Sequence, residues 1–232
     1  IVPARGAGRL FVMLAGTEGM AAAREPRFGP DWFRPAPFFA RDLADLKPGE
    51  TVTIDDSADG FPAPLSQLHA GRFRVQAVFH QNPDARSPGL GVGNLYSDVI
   101  EATLDPRAPQ ALNLPLAHVI AERTFPELPW RHEVAVHSKL LSEYLHREVV
   151  ERAAVVLPKS YAAKPDRRFP VIYFIPGFGG THFDALGISE PPGAAADEIE
   201  LIRVFLSGDC QWGHHVYADS ATNGPRGRAL VN

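Results

Sequence analysis

The sequence predicts an α/β chain in two parts, an all-β sandwich followed by an incomplete, mostly parallel sheet. Three observations predict it. Up to about residue 110, short apolar runs alternate with turn residues, and no long window has helical periodicity. From Glu133 onward, strand-like runs are separated by gaps long enough for a helix. Between Pro170 and Pro176 lie five apolar residues, Val171 to Ile175, and then a glycine-rich break at Gly177, Gly179 and Gly180. A short run of β-branched and aromatic residues bounded by turn signals reads as a strand buried on both faces, as in parallel sheets.

In chain order, strands are expected at Arg9–Leu14, Phe38–Asp42, Thr51–Ile54, Phe73–His80 and Tyr96–Leu104. The clearest is Phe73–His80, where apolar and polar residues alternate at period two. Short strands with regular turns argue for an Ig-like sandwich. Its core would contain Leu10, Val12, Val52, Ile54, Phe73, Val75, Val78 (or Phe79) and Val99. Phe28, Trp32, Phe33, Phe38 and Phe39 could stack on sugar rings, but the neighbouring prolines favour core and loop packing. Asp55, Asp56 and Asp59 lack a calcium-loop pattern and read as a solvated acidic turn. Gln81–Asn94 reads as a connection.

The sandwich is expected to span residues 1–105. A proline-punctuated linker follows over 106–132, anchored by Phe125 and Trp130, and the second part covers 133–232. There, Val134–Leu141 and Glu148–Leu157 form an antiparallel hairpin across the polar break Ser142–Arg147. Val171–Ile175 is the next strand, Gly193–Ile199 a short helix and Leu201–Leu206 the last strand. The residues from Arg228 onward read as the start of a helix. With Ile1 as the first residue, the chain is expected to be a fragment.

Composition narrows the function. The 232 residues are 45% hydrophobic and 22% charged, with net charge −4, so nothing draws the chain to nucleic acid or anionic membranes. No apolar run approaches the ~20 residues of a membrane span. Cys210 is the single cysteine, so no intrachain disulfide forms, and it reads as a buried, inert thiol. No phosphate loop, dinucleotide fingerprint or zinc spacing is present, and no metal or organic cofactor is implied. His214 and His215 are adjacent and would face opposite sides of a strand.

The glycine-rich turn is the chemical candidate. Backbone N–H groups at Gly177, Phe178 and Gly179 could face the oxygen of a tetrahedral intermediate, although a plain strand-to-helix turn would look alike. Arg167-Arg168-Phe169-Pro170-Val171-Ile172-Tyr173, the turn after it, and Gly213-His214-His215-Val216-Tyr217-Ala218-Asp219-Ser220-Ala221-Thr222-Asn223-Gly224-Pro225 together resemble the esterase D-like family of α/β-hydrolases. That family includes S-formylglutathione hydrolases, feruloyl esterases and enterochelin esterases. The likeness spans roughly residues 133–232 and departs from the family at Pro176-Gly177, where His-Gly is common.

The resemblance implies an incomplete α/β-hydrolase sheet and a serine carboxylic-ester hydrolase acting on a small-molecule ester. Gly177, Phe178 and Gly179 would form the oxyanion hole, and Trp212, His214 and Ser220 would line the substrate site. It leans towards a periplasmic or secreted protein. No G-x-S-x-G elbow occurs; Gly187-Ile188-Ser189-Glu190-Pro191 is the nearest approach. The serine, acid and histidine of a triad are therefore expected beyond Asn232, leaving this chain inactive by itself. The alternative is a carbohydrate- or partner-binding accessory protein with a non-catalytic hydrolase remnant. A sheet missing its neighbours would also self-associate through its exposed edge.

Overall fold

The computed structural model describes residues 6–29, 35–193, 199–210 and 212–231. The chain divides into two compact units, Ile1–Glu122 and Arg123–Asn232. The boundary falls inside the proline-rich stretch 106–132, whose two ends belong to different units.

In the first unit, β1 (Gly6–Ala15) lies between β2 (Phe38–Leu46) and β4 (Gly71–His80), antiparallel to both. β3 (Asp59–Phe61) extends the sheet from β2. β5 (Leu95–Tyr96) and β6 (Ile100–Leu104) both pair with β4, and β7 (His118–Val119) pairs with β5. A short helix α1 (Gly19–Ala23) and a 3₁₀ turn at Pro26–Phe28 follow β1.

These strands join one seven-stranded sheet, which corrects the expectation of two facing Ig-like sheets. Thr51–Ile54, expected as a strand, forms no ladder. Val52 and Ile54 instead pack onto the sheet beside the cross-strand pairs Leu10–Phe79 and Leu14–Val75. Leu112 and Leu114 cover the same core from the segment between Pro109 and Pro115. Tyr96–Leu104 is broken at Ser97, whose hydroxyl accepts the Ala77 amide at 2.9 Å.

β4 is covered on both faces, so Val78 and Phe79 are both buried. Opposite Phe79, the buried Gln76 donates to Glu25 Oε2 and to Ser97 O, each at 2.9 Å. The expected acidic turn is tied up: Asp55 accepts from Ser57 and Arg41, Asp56 accepts from Ser66, and Asp59 pairs with Arg9. Phe39 is core and Phe38 stacks on Phe61, whereas Trp32 and Phe33 lie outside the described residues.

The second unit holds a four-stranded sheet in the order β10-β11-β9-β8. β8 (Arg131–His137) and β9 (Val150–Val156) are antiparallel. Their connection is not the polar turn expected but helix α2 (Lys139–Leu145). Ser138 caps it by accepting the Leu141 N–H, and Leu141, expected to end the strand, is fully buried in the helix. β10 (Val171–Phe174) and β11 (Ile202–Leu206) are parallel, and β11 is antiparallel to β9. Two-residue ladders β12 (Asp209–Cys210) with β13 (Gly213–His214), and β14 (Asp219–Ser220) with β15 (Gly224–Pro225), precede the terminal helix α3 (Arg226–Val231).

The α/β expectation, and with it the incomplete α/β-hydrolase sheet, is overturned. Strands dominate, the sheets are small and mostly antiparallel, and among the described residues no helices pack around them. Helices α1, α2 and α3 are only five, seven and six residues long. The gap between β9 and β10 contains Pro158, Pro165 and Pro170 and forms turns. The next gap carries the 3₁₀ helix His182–Gly187, and most of the expected helix Gly193–Ile199 lies outside the described residues. β10, expected to be central and buried, is an edge strand exposed on both faces.

Candidate functional site

β10 and β11 run parallel, with Phe174 beside Phe205, so the loops that follow them leave the sheet side by side. The first of these loops is the glycine-rich turn. Gly179 has φ +81°, a left-handed conformation that favours glycine. Gly180 closes the turn by donating its N–H to Gly177 O at 2.9 Å. A Cβ on Gly180 would lie 2.5 Å from Pro176 Cβ and 2.8 Å from Asp184 Oδ2, so no side chain fits there. Gly177, Phe178 and Gly179 therefore precede an amide, that of Gly180, which the turn consumes internally.

A polar clamp holds the turn against the end of β11. Ser207 Oγ accepts the His182 backbone N–H at 3.1 Å and lies 2.6 Å from His182 Nδ1. His182 Nε2 sits 2.9 Å from Glu133 Oε1, an approach too oblique for a well-aligned hydrogen bond. Arg152 neutralises the same Glu133 oxygen at 3.2 Å. The His182 ring is buried between Phe125 and Phe183, and burial holds its pKa below the usual value despite the Glu133 carboxylate. With the proton on Nε2 facing Glu133, Nδ1 is free to accept the Ser207 hydroxyl. The buried Arg131 secures the far end of the 3₁₀ helix, donating to Ile188 O at 3.1 Å. Phe125 and Trp130, expected as anchors, pack here with Ala154, Val156 and Ala185.

The second loop is held from within. Tyr217 Oη donates to Ser207 O at 2.8 Å, and the His215 amide donates to Gly208 O at 3.0 Å. Val216 and Tyr217 have φ of 46° and 53°, a costly left-handed pair for non-glycine residues. Their amides donate to His214 Nδ1 at 3.0 Å and His215 Nδ1 at 3.1 Å. Burial, with Arg226 nearby, pushes His215 down to about 4. Burial beside Glu151 pushes the Tyr217 phenol up. Arg226, itself buried, pairs with Glu151 and closes this cluster.

The structure brings together only some of the sequence-predicted site residues. A Cβ on Gly213 would lie 2.8 Å from the Phe178 ring, so the turn touches the loop carrying Trp212 and His214. Trp212 is exposed. His214 does not offer its ring to a ligand: Nδ1 is occupied, and Nε2 is buried over Gly208. Ser220 sits in the β14–β15 ladder, where its hydroxyl accepts the Asn223 N–H at 2.9 Å, which is turn chemistry. Cys210 is buried, with Sγ donating to Asn223 Oδ1 at 3.6 Å. Among the described residues, no three metal-binding side chains cluster.

Ser207, His182 and Glu133 escape a reading of the sequence because they come from three separate segments and form no motif. A groove of about 670 Å³ also lies on one face of this sheet, lined by Val134, Val136, Tyr173, Val204 and Leu230. None of the sequence-predicted site residues lines it. Comparisons with protein-family models, curated proteins and solved structures yield no match for this chain.

Proposed function

We propose that the second unit supplies the acyl-oxygen cradle of a serine carboxylic-ester hydrolase resembling esterase D-like enzymes. The observation that carries this reading is the glycine-rich turn clamped by His182 to Ser207 at the end of β11. In an oxyanion hole, N–H donors are fixed before charge develops, so no reorganisation opposes the reaction. The clamp fixes the turn in this sense, and the Gly177–Gly179 amides are the donors. Residues 1–232 contain no G-x-S-x-G elbow, so on this reading the chain alone does not turn over ester.

One observation favours a second reading, in which Ser207, His182 and Glu133 are themselves a nucleophile, base and orienting acid. Ser207 Oγ lies 2.6 Å from His182 Nδ1 and Glu133 Oε1 2.9 Å from Nε2, within reach of those roles, with the two ring nitrogens exchanged relative to a serine-protease triad. Against it, Ser207 Oγ already accepts the His182 amide, and the histidine ring is buried. A clamp uses both contacts, whereas a nucleophile needs an approach path. Hydrolysis of p-nitrophenyl acetate by purified 1–232 separates the two. No turnover, with the reading frame continuing past the Asn232 codon into G-x-S-x-G, supports the cradle. Turnover abolished by Ser207→Ala supports the second reading. A stop codon after Asn232 together with an inactive chain removes both.

A further inference from the structure

From the free edge of β10 we infer that the protein forms a two-fold dimer by antiparallel pairing of β10 with β10 of a second copy, centred on Tyr173. Val171, Ile172, Tyr173, Phe174 and Ile175 are between 39% and 59% exposed, on both faces of an edge strand. A strand apolar on both faces and without an inward charge, a bulge or an internal proline is a template for another strand. The inference is made of residues 1–232, in which no described strand pairs with the outer side of β10, and it competes with the catalytic reading, because a segment completing the sheet would take the same edge.

The backbone sets the register. The Ile202 N–H donates to Pro170 O at 2.9 Å, so the Pro170 carbonyl faces β11. Backbone polar groups alternate sides along a strand, so those of Ile172 and Phe174 also face β11, and those of Val171, Tyr173 and Ile175 face the free edge. Pairing across a two-fold axis at Tyr173 sets Tyr173 against Tyr173 and Val171 against Ile175, and satisfies every outward group of the three residues. A slip in register leaves one end unpaired.

The charges select this orientation: antiparallel pairing places Arg167 and Arg168 of one copy beside the uncharged turn 176–180 of the other, whereas parallel pairing stacks arginine on arginine. The occupant follows from the register, because a two-fold axis at Tyr173 makes the outward groups of the segment match those of its own copy, the requirement of an isologous interface.

Light scattering and cysteine cross-linking test the proposal. The wild-type protein is expected at twice the 25.3 kDa of one chain, and Tyr173→Lys at the single mass with an unchanged circular dichroism spectrum. Under mild oxidation Tyr173→Cys forms a disulfide with its copy, because opposed residues in this register lie ~5.5 Å apart at Cα. Val171→Cys does not, because the two copies of that position stand roughly 13 Å apart, four residues at the ordinary strand rise. A monomeric wild type overturns the proposal, as does a dimer in which Tyr173→Cys fails to cross-link. If Tyr173→Lys does not fold, the cysteine pair alone decides.

Discussion

Ser207 takes part in two contacts with His182 that join consecutive parts of the site, so its removal has a local signature. Ser207→Ala strips the His182 amide of its acceptor inside a partly buried setting, a loss of about 1–3 kcal/mol. Hydrogen exchange at the His182 amide is expected to accelerate in this variant, while amides of the first unit are unchanged. His215 makes the second residue-scale case. Its pKa is about 4 in the folded protein, against the ordinary 6.5 when unfolded. The unfolded chain therefore takes up a proton that the folded chain refuses, and stability falls as pH drops from 6.5 to 4. Each tenfold difference in proton affinity is worth ~1.4 kcal/mol, so the full penalty is about 3 kcal/mol. Urea unfolding at pH 7 and pH 4 is expected to show a smaller pH-dependent loss for His215→Gln than for the wild type.

Elements in this protein are short, and each depends on a few side chains at its ends. The six-residue α3 is too short to persist unaided. Asp219 holds its first turn, accepting the Gly227 N–H at 2.8 Å and the Arg228 N–H at 3.1 Å. Arg226 then ties the helix to Glu151 on β9. Asp219→Ala is expected to cost ~1 kcal/mol in urea denaturation, the usual value of a lost cap. The glycine-rich turn fails differently. Gly180→Ala forces a Cβ against Pro176 and Asp184, an overpacking penalty of ~1–3 kcal/mol. That variant should expose the turn to proteolysis before the rest of the chain.

Across the whole molecule, two units with separate cores should unfold as separate cooperative blocks. Phe125→Ala empties a buried position in the second unit and should cost that unit ~3–5 kcal/mol. Calorimetry is expected to show one transition moving down and the other staying in place. The same two-unit organisation limits what could be read in advance. β4 is legible because its period-two alternation is local, and Val75 follows from it. The helix at the end of the chain is legible for the same reason. α2 is missed because Leu140 and Leu141 continue an apolar run, and only the Ser138 cap marks the change.

The sequence by itself placed β1, β2, β4, β9, β10 and β11, because alternation, proline and glycine act on the residues beside them. It also marked Val171–Ile175 as a strand, which β10 bears out over Val171–Phe174, but not its exposure. Only the tertiary structure decided which strands are neighbours: one sheet where two were expected, and an edge where a centre was expected. It alone brought Ser207, His182 and Glu133 together. The physical reason is that hydrogen-bond partners and burial come from segments remote in the chain. A run of apolar residues states that it must be covered and leaves open what will cover it.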